Sequence, residues 1–82
     1  MLAISVLFLG PAKDFAKTDT AVLDLHPGAA VGDARRELAG RFPRLGEWLA
    51  TMRIAVNQEF VADTAVLRAG DELAVVPPVS GG

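Results

Sequence analysis

The chain has 82 residues, a formal net charge of −2 and a pI near 5.1. That length holds one domain with a single modest core, and the acidic balance leaves no electrostatic footprint for nucleic acid. The sequence contains no cysteine, which excludes disulfides, thiolate metal sites and cysteine nucleophiles. Its 51% apolar content and mean hydropathy of +0.35 exceed what so small a domain easily hides, so some apolar surface is expected to meet a partner.

The apolar run at the N-terminus has no Lys or Arg before it and stops at Gly10-Pro11. It is too short and wrongly flanked for an export signal or a membrane span, so a cytoplasmic protein without membrane attachment is expected. Leu2–Leu9 reads instead as a central strand covered on much of both faces. Leu2, Ile4, Val6 and Phe8 share one face, and Ala3, Ser5, Leu7 and Leu9 the other. Gly10–Asp19 is a polar loop with a short helical turn around Ala12–Ala16, and Thr20–Leu25 is a second, alternating strand. His26-Pro27-Gly28 marks a turn, and with no ligand partners His26 suggests neither catalysis nor a metal site.

Val31–Phe42 carries the clearest helical pattern, with Val31, Ala34, Leu38, Ala39 and Phe42 on one face. Ala30 is a poor N-cap and Gly40 costs about 1 kcal/mol relative to Ala, so packing must hold this helix. Pro43 is expected to stop it. Leu45–Leu49 then forms a short turn that sets Trp48 at the edge of the core. Met52–Val56 and Glu59–Val61 read as a hairpin through Asn57-Gln58, where Asn suits a positive φ and Gln does not. Gly70-Asp71 turns the chain into a last strand, Glu72–Val76, which Pro77-Pro78 ends because proline donates no ladder hydrogen bond.

The order β-β-α-β-β-β with one main amphipathic helix predicts an α+β domain over residues 1–76. The helix lies across one face of a mixed sheet of four or five strands, which is the β-grasp, or ubiquitin-like, architecture. The chain ends are expected on neighbouring central strands. Residues 77–82 then form a flexible tail, Pro77-Pro78-Val79-Ser80-Gly81-Gly82, reaching up to about 20 Å when extended. Gly81 and Gly82 offer no side chains, so the terminal carboxylate is expected to be able to pass through a narrow channel into another protein's active site. Average glycine usage puts a chance Gly-Gly terminus in about one chain in 200, so the pair gains its meaning from the β-grasp body before it.

Gly70-Asp71-Glu72-Leu73-Ala74-Val75-Val76-Pro77-Pro78-Val79-Ser80-Gly81-Gly82 resembles the C-terminal signature of molybdopterin synthase small subunits. Ile54-Ala55-Val56-Asn57 is similar to that family's middle hairpin, and Val6-Leu7-Phe8 to its opening strand. The departures sit in turns and loops, at Ala30, at Gln58 and at Lys13-Asp14. The resemblance implies that an ATP-using enzyme, related to those that activate ubiquitin, adenylates the Gly82 carboxylate. A sulfur donor protein then converts it to a thiocarboxylate. It also implies that the tail, through Val79, Ser80 and Gly81, threads into a large synthase subunit that holds the catalytic groups. There its sulfur passes to a pyranopterin precursor of the molybdenum cofactor, in a heterotetramer of two small and two large subunits. ATP belongs to the activating enzyme, and no cofactor or metal is expected on this chain. Leu7, Leu9, Val75, Val76, Pro77 and Pro78 are expected to form the partner interface.

Three other functions share this fold. One is sulfur delivery for thiamine, cysteine or tRNA thiolation. Another is a ubiquitin-like modifier joined to lysines through Gly82, and the third is an interaction module with an inert tail.

Overall fold

The computed structural model describes residues 1–78; the expectations placed on Val79, Ser80, Gly81 and Gly82, including the tail's flexibility there, lie outside the described residues. Within it the chain forms β1 (Leu2–Phe8), α1 (Pro11–Ala16), β2 (Thr20–Leu25), α2 (Val31–Arg41), α3 (Pro43–Leu49), β3 (Arg53–Val56), β4 (Glu59–Val61) and β5 (Glu72–Val76). The five strands make one mixed sheet in the order β2-β1-β5-β3-β4. Only β1 and β5 run parallel, with Phe8 opposite Val75; the other pairings are antiparallel. This is the expected β-grasp arrangement, with the two ends of the domain on adjacent central strands.

Alternation decides which side chains enter the core. Ile4, Val6 and Phe8 of β1 lie beside Leu23 and Leu25 of β2, Leu73 and Val75 of β5, and Ile54 of β3, all buried. Val31, Ala34 and Leu38 of α2 close the core from above, with Leu45 and Leu49 of α3. The Phe8 and Phe42 rings meet edge to face at 5.3 Å. Among the described residues no buried side chain is polar or charged.

β1 is covered on one face only. Ala3, Ser5 and Leu9 are exposed and Leu7 is half-buried, because all three helices lie on the other side. Its apolar composition, read as two-sided burial, instead reflects small and aliphatic residues on an open sheet face.

Helix α2 manages without a capping side chain at Ala30. The Ala30 N–H donates to Asp33 Oδ2 at 2.8 Å, and the next two amides donate to loop carbonyls, Val31 to Ala65 and Gly32 to Asp63, both at 2.9 Å. Those orphan donors are thus met by a distant segment rather than by a local cap. Arg35 reinforces the same joint, donating to Asp63 at 2.7 Å and to the Leu49 carbonyl at 2.6 Å. Pro43 does end α2, but it also starts α3, a full two-turn helix where a turn was expected; proline at the first helical position lacks only a hydrogen that no partner would have taken. The close approach of α3 to α2 requires Gly46, since a Cβ there would lie 3.1 Å from Ala39.

The Asn57-Gln58 turn forms with both residues at positive φ, 50° and 72°. Asn57 Nδ2 donates to Asp71 Oδ1, and Asn57 Oδ1 accepts from the Glu72 N–H, each at 3.0 Å. The hairpin is thereby fastened to the start of β5, which helps to fix that strand's register.

The Ala30 amide holds the Asp33 carboxyl below its ordinary value near 3.8, aided by Arg36 and His26 and outweighing the desolvation that opposes it. A depressed carboxyl pKa stabilises the fold above the unfolded value and stops doing so as pH falls through the folded one. Asp33→Ala is therefore expected to lower the thermal midpoint at neutral pH. The gap should narrow as pH falls through the lowered pKa of Asp33, as paired melts at neutral and strongly acid pH would show.

Candidate functional site

Parallel pairing makes β1 and β5 finish at the same end of the sheet. The Leu9 N–H still donates to the Val75 carbonyl, at 3.2 Å. Gly10 then turns the chain at φ +50° into α1, 3.9 Å from Pro77 measured from the position a Cβ would take. Pro77 is half-buried and Pro78 exposed. Pro77, at the root of the tail, thus lies against the β1–α1 turn directly after β5, a strand paired on both edges.

On the face opposite the helices, Leu7 lies beside Ala74, Ala74 beside Ala55, and Ala55 beside Phe60. Val76 is opposite Arg53, whose guanidinium lies 3.8 Å from the centre of the Phe60 ring. The middle of this face is floored by small side chains, with Phe60 and Val22, both more than half exposed, standing at its sides. It is a shallow apolar surface that runs up to the root of the tail.

Of the six interface residues expected from the sequence, Leu7, Leu9, Val76, Pro77 and Pro78 reach this surface or the tail root. Val75 does not. It is fully buried under the helices and belongs to the core, since neighbouring strand residues point to opposite faces and Val76 takes the outward position. Ala55, Ala74, Arg53 and Phe60 went unnoticed in the sequence. Alternation within each short strand assigns them to one face, but only the strand order places β3 and β4 beside β5.

Among the described residues no group of three His, Asp or Glu side chains is placed to hold a metal. His26 is largely exposed and stands 4.0 Å from Asp33 at the start of α2. No helix of the described residues is long and apolar enough to cross a membrane.

This geometry, a β-grasp body with a glycine-ended chain leaving its central strand, agrees with the comparisons to known proteins. The model of the ThiS family matches residues 6–82. The chain belongs to the ThiS family. It is 33% identical over 79 residues to the molybdopterin synthase sulfur carrier subunit of Arabidopsis thaliana, covering 96% of this chain and 82% of that one. Among solved structures, it is 28% identical to the small archaeal modifier protein 1 of H. volcanii, covering 96% of this chain and all of that one, with a TM-score of 0.90. A complex of subunits 1 and 2 of the molybdopterin-converting factor of Helicobacter pylori contains a chain 27% identical to this one, with a TM-score of 0.75, covering 99% of this chain and all of that one.

The two valines at the end of β5 separate core from surface. Val75→Asp, which places a charge in the core, should cost more than about 4 kcal/mol and leave the chain largely unfolded. Val76→Asp and Leu9→Asp should each stay within about 1 kcal/mol of the parent in urea melts.

Proposed function

We propose that this chain is a sulfur carrier for molybdenum cofactor biosynthesis, acting as the small subunit of a molybdopterin synthase. The observation that carries the reading is the Gly81-Gly82 terminus set four residues beyond a tail root fixed at the central strand of a β-grasp domain. The name of the Arabidopsis relative and the two-subunit Helicobacter complex point the same way.

The chemistry follows from a free terminal carboxylate. A carboxylate resists nucleophiles until one oxygen becomes part of a leaving group. Attack of the Gly82 carboxylate on the α-phosphorus of ATP releases pyrophosphate and gives an acyl-adenylate. A sulfur donor protein delivers sulfide-level sulfur to the acyl carbon, AMP leaves, and Gly82 ends as a thiocarboxylate. In the large subunit the thiocarboxylate sulfur bonds to a carbon of the pyranopterin precursor as that carbon's bond to an oxygen substituent breaks and the oxygen departs with the bonding pair. Water then cleaves the acyl–sulfur bond, returning the Gly82 carboxylate and leaving sulfur on the precursor. Each dithiolene needs two such deliveries, hence two loaded carriers.

This chain supplies reach and docking, and the catalytic groups belong to its partners. The tail's only polar side chain, Ser80, serves as a spacer. The open sheet face around Leu7, Ala74 and Val76 is the surface offered in turn to the activating enzyme and to the large subunit. A cytoplasmic site of action belongs to the same reading.

A second reading has support in the likeness to the archaeal modifier protein. There the same adenylate would yield to a lysine amine and form an isopeptide bond.

Reconstitution tests the first reading. Incubated with activating enzyme, ATP, a sulfur donor, the large subunit and precursor, the chain should support dithiolene formation, and the variant lacking Gly82 should support none. Val76→Asp or Leu9→Asp should weaken binding to the large subunit by about tenfold or more while the chain stays folded. Unchanged affinity in both variants would remove the sheet face from the docking surface.

A further inference from the structure

The tail root borders a second apolar surface, on the helix side of the sheet. Pro11 and Phe15 of α1, Trp48 of α3, Met52, Pro77 and Pro78 line a groove of about 260 Å³. The Trp48 and Phe15 rings stack at 6.2 Å between centres, and Trp48 remains 50% exposed. Besides the Trp48 indole N–H, the polar side-chain group in the lining is the Thr51 hydroxyl, which already donates to the Trp48 carbonyl at 2.6 Å. A guest therefore finds little to hydrogen-bond and much apolar surface. The volume falls below that of pockets built for drug-sized ligands or cofactors, which suits one or two apolar side chains.

Geometry identifies who supplies them. Pro78 forms part of the groove wall, and Gly82, the residue the sulfur-carrier reading loads, lies four residues after it. Fully extended, those four residues span about 14 Å. Any protein whose active centre reaches the Gly82 carboxylate must therefore bring its surface to the mouth of this groove. We propose that the groove is a second docking site for the large synthase subunit, filled by an apolar side chain beside the entrance of its tail channel, with Trp48 as the anchor. The large subunit as partner rests on the sulfur-carrier reading above.

In this arrangement the partner grips the tail root from both sides, with the open sheet face on one and the Phe15–Trp48 groove on the other. A tail held at its base from two directions enters the channel with less freedom to lose, which favours productive threading. Exposed aromatic residues that pack against a neighbouring ring are the type that dominates such interfaces.

Trp48 is the chain's only tryptophan, so its indole N–H gives a single resonance when the full-length chain is labelled with ¹⁵N. Unlabelled large subunit is titrated in, and affinities are measured in parallel for the parent, Trp48→Ala and Trp48→Phe. The proposal expects the indole resonance to move on binding. Trp48→Ala should bind about tenfold or more weakly and Trp48→Phe close to the parent, with thermal melts showing both variants folded. A complex that forms while the indole resonance stays in place, or that Trp48→Ala joins with parental affinity, overturns the groove and leaves the sulfur-carrier reading standing. No complex with the parent chain overturns both.

Discussion

The parallel pairing of β1 with β5 is the contact on which the rest of the molecule depends. It joins the first and last strands, so it cannot form until the chain between them has been folded back over itself, and it puts the two in the middle of the sheet. It also aligns their ends. Because β1 and β5 finish together, the Gly10 turn and Pro77 come to lie side by side, and the tail leaves from a strand hydrogen-bonded on both edges. A tail on an edge strand would share that strand's tendency to fray. Here the last six residues follow a strand paired on both sides, which suits a carboxylate that must be delivered to another protein's active centre.

The sheet divides the work between its faces. The helix side takes Ile4, Val6, Phe8, Leu73 and Val75 into a core that, among the described residues, buries no polar side chain and supplies the folding energy. The other side is left with Leu7, Ala55, Ala74 and Val76, which no helix covers and which are apolar enough to favour contact with a partner. The polar contacts lie mostly at the joints. Arg35 ties α2 to α3 and to Asp63, and Asn57 ties the β3–β4 turn to β5. They fix geometry around a core whose stability comes from burial.

Much of this was legible in the sequence. Periodicity locates all five strands and α2, the strand boundaries at Pro77 and Thr20 agree with the structure, and the mixed sheet with one main helix on it follows from the order of elements. The misreadings have separate causes. Leu2–Leu9 is so apolar that composition implied two covered faces, and only the placement of every helix on one side shows that Ala3, Ser5 and Leu7 face outward. Naming both Val75 and Val76 as surface residues neglected the two-residue period that separates them. The Pro43 helix was missed because proline reads as a stop, although it serves equally as a first helical residue. Asp33 meets the Ala30 N–H locally, but the acceptors for the Val31 and Gly32 amides, Ala65 and Asp63, arrive from about thirty residues away along the chain. Nothing in the sequence pattern pairs Phe15 with Trp48, whose ring contact exists only once α1 and α3 pack together.

The central claim is that the Gly82 carboxylate carries sulfur, and its most direct test is intact mass spectrometry of the chain isolated from its native host grown with molybdate. The account predicts a fraction heavier by one oxygen-to-sulfur exchange, with fragmentation placing the change on Gly82. Gly82 found joined to the lysines of other proteins, with no thiocarboxylate fraction even after incubation with ATP, activating enzyme and sulfur donor, would contradict it.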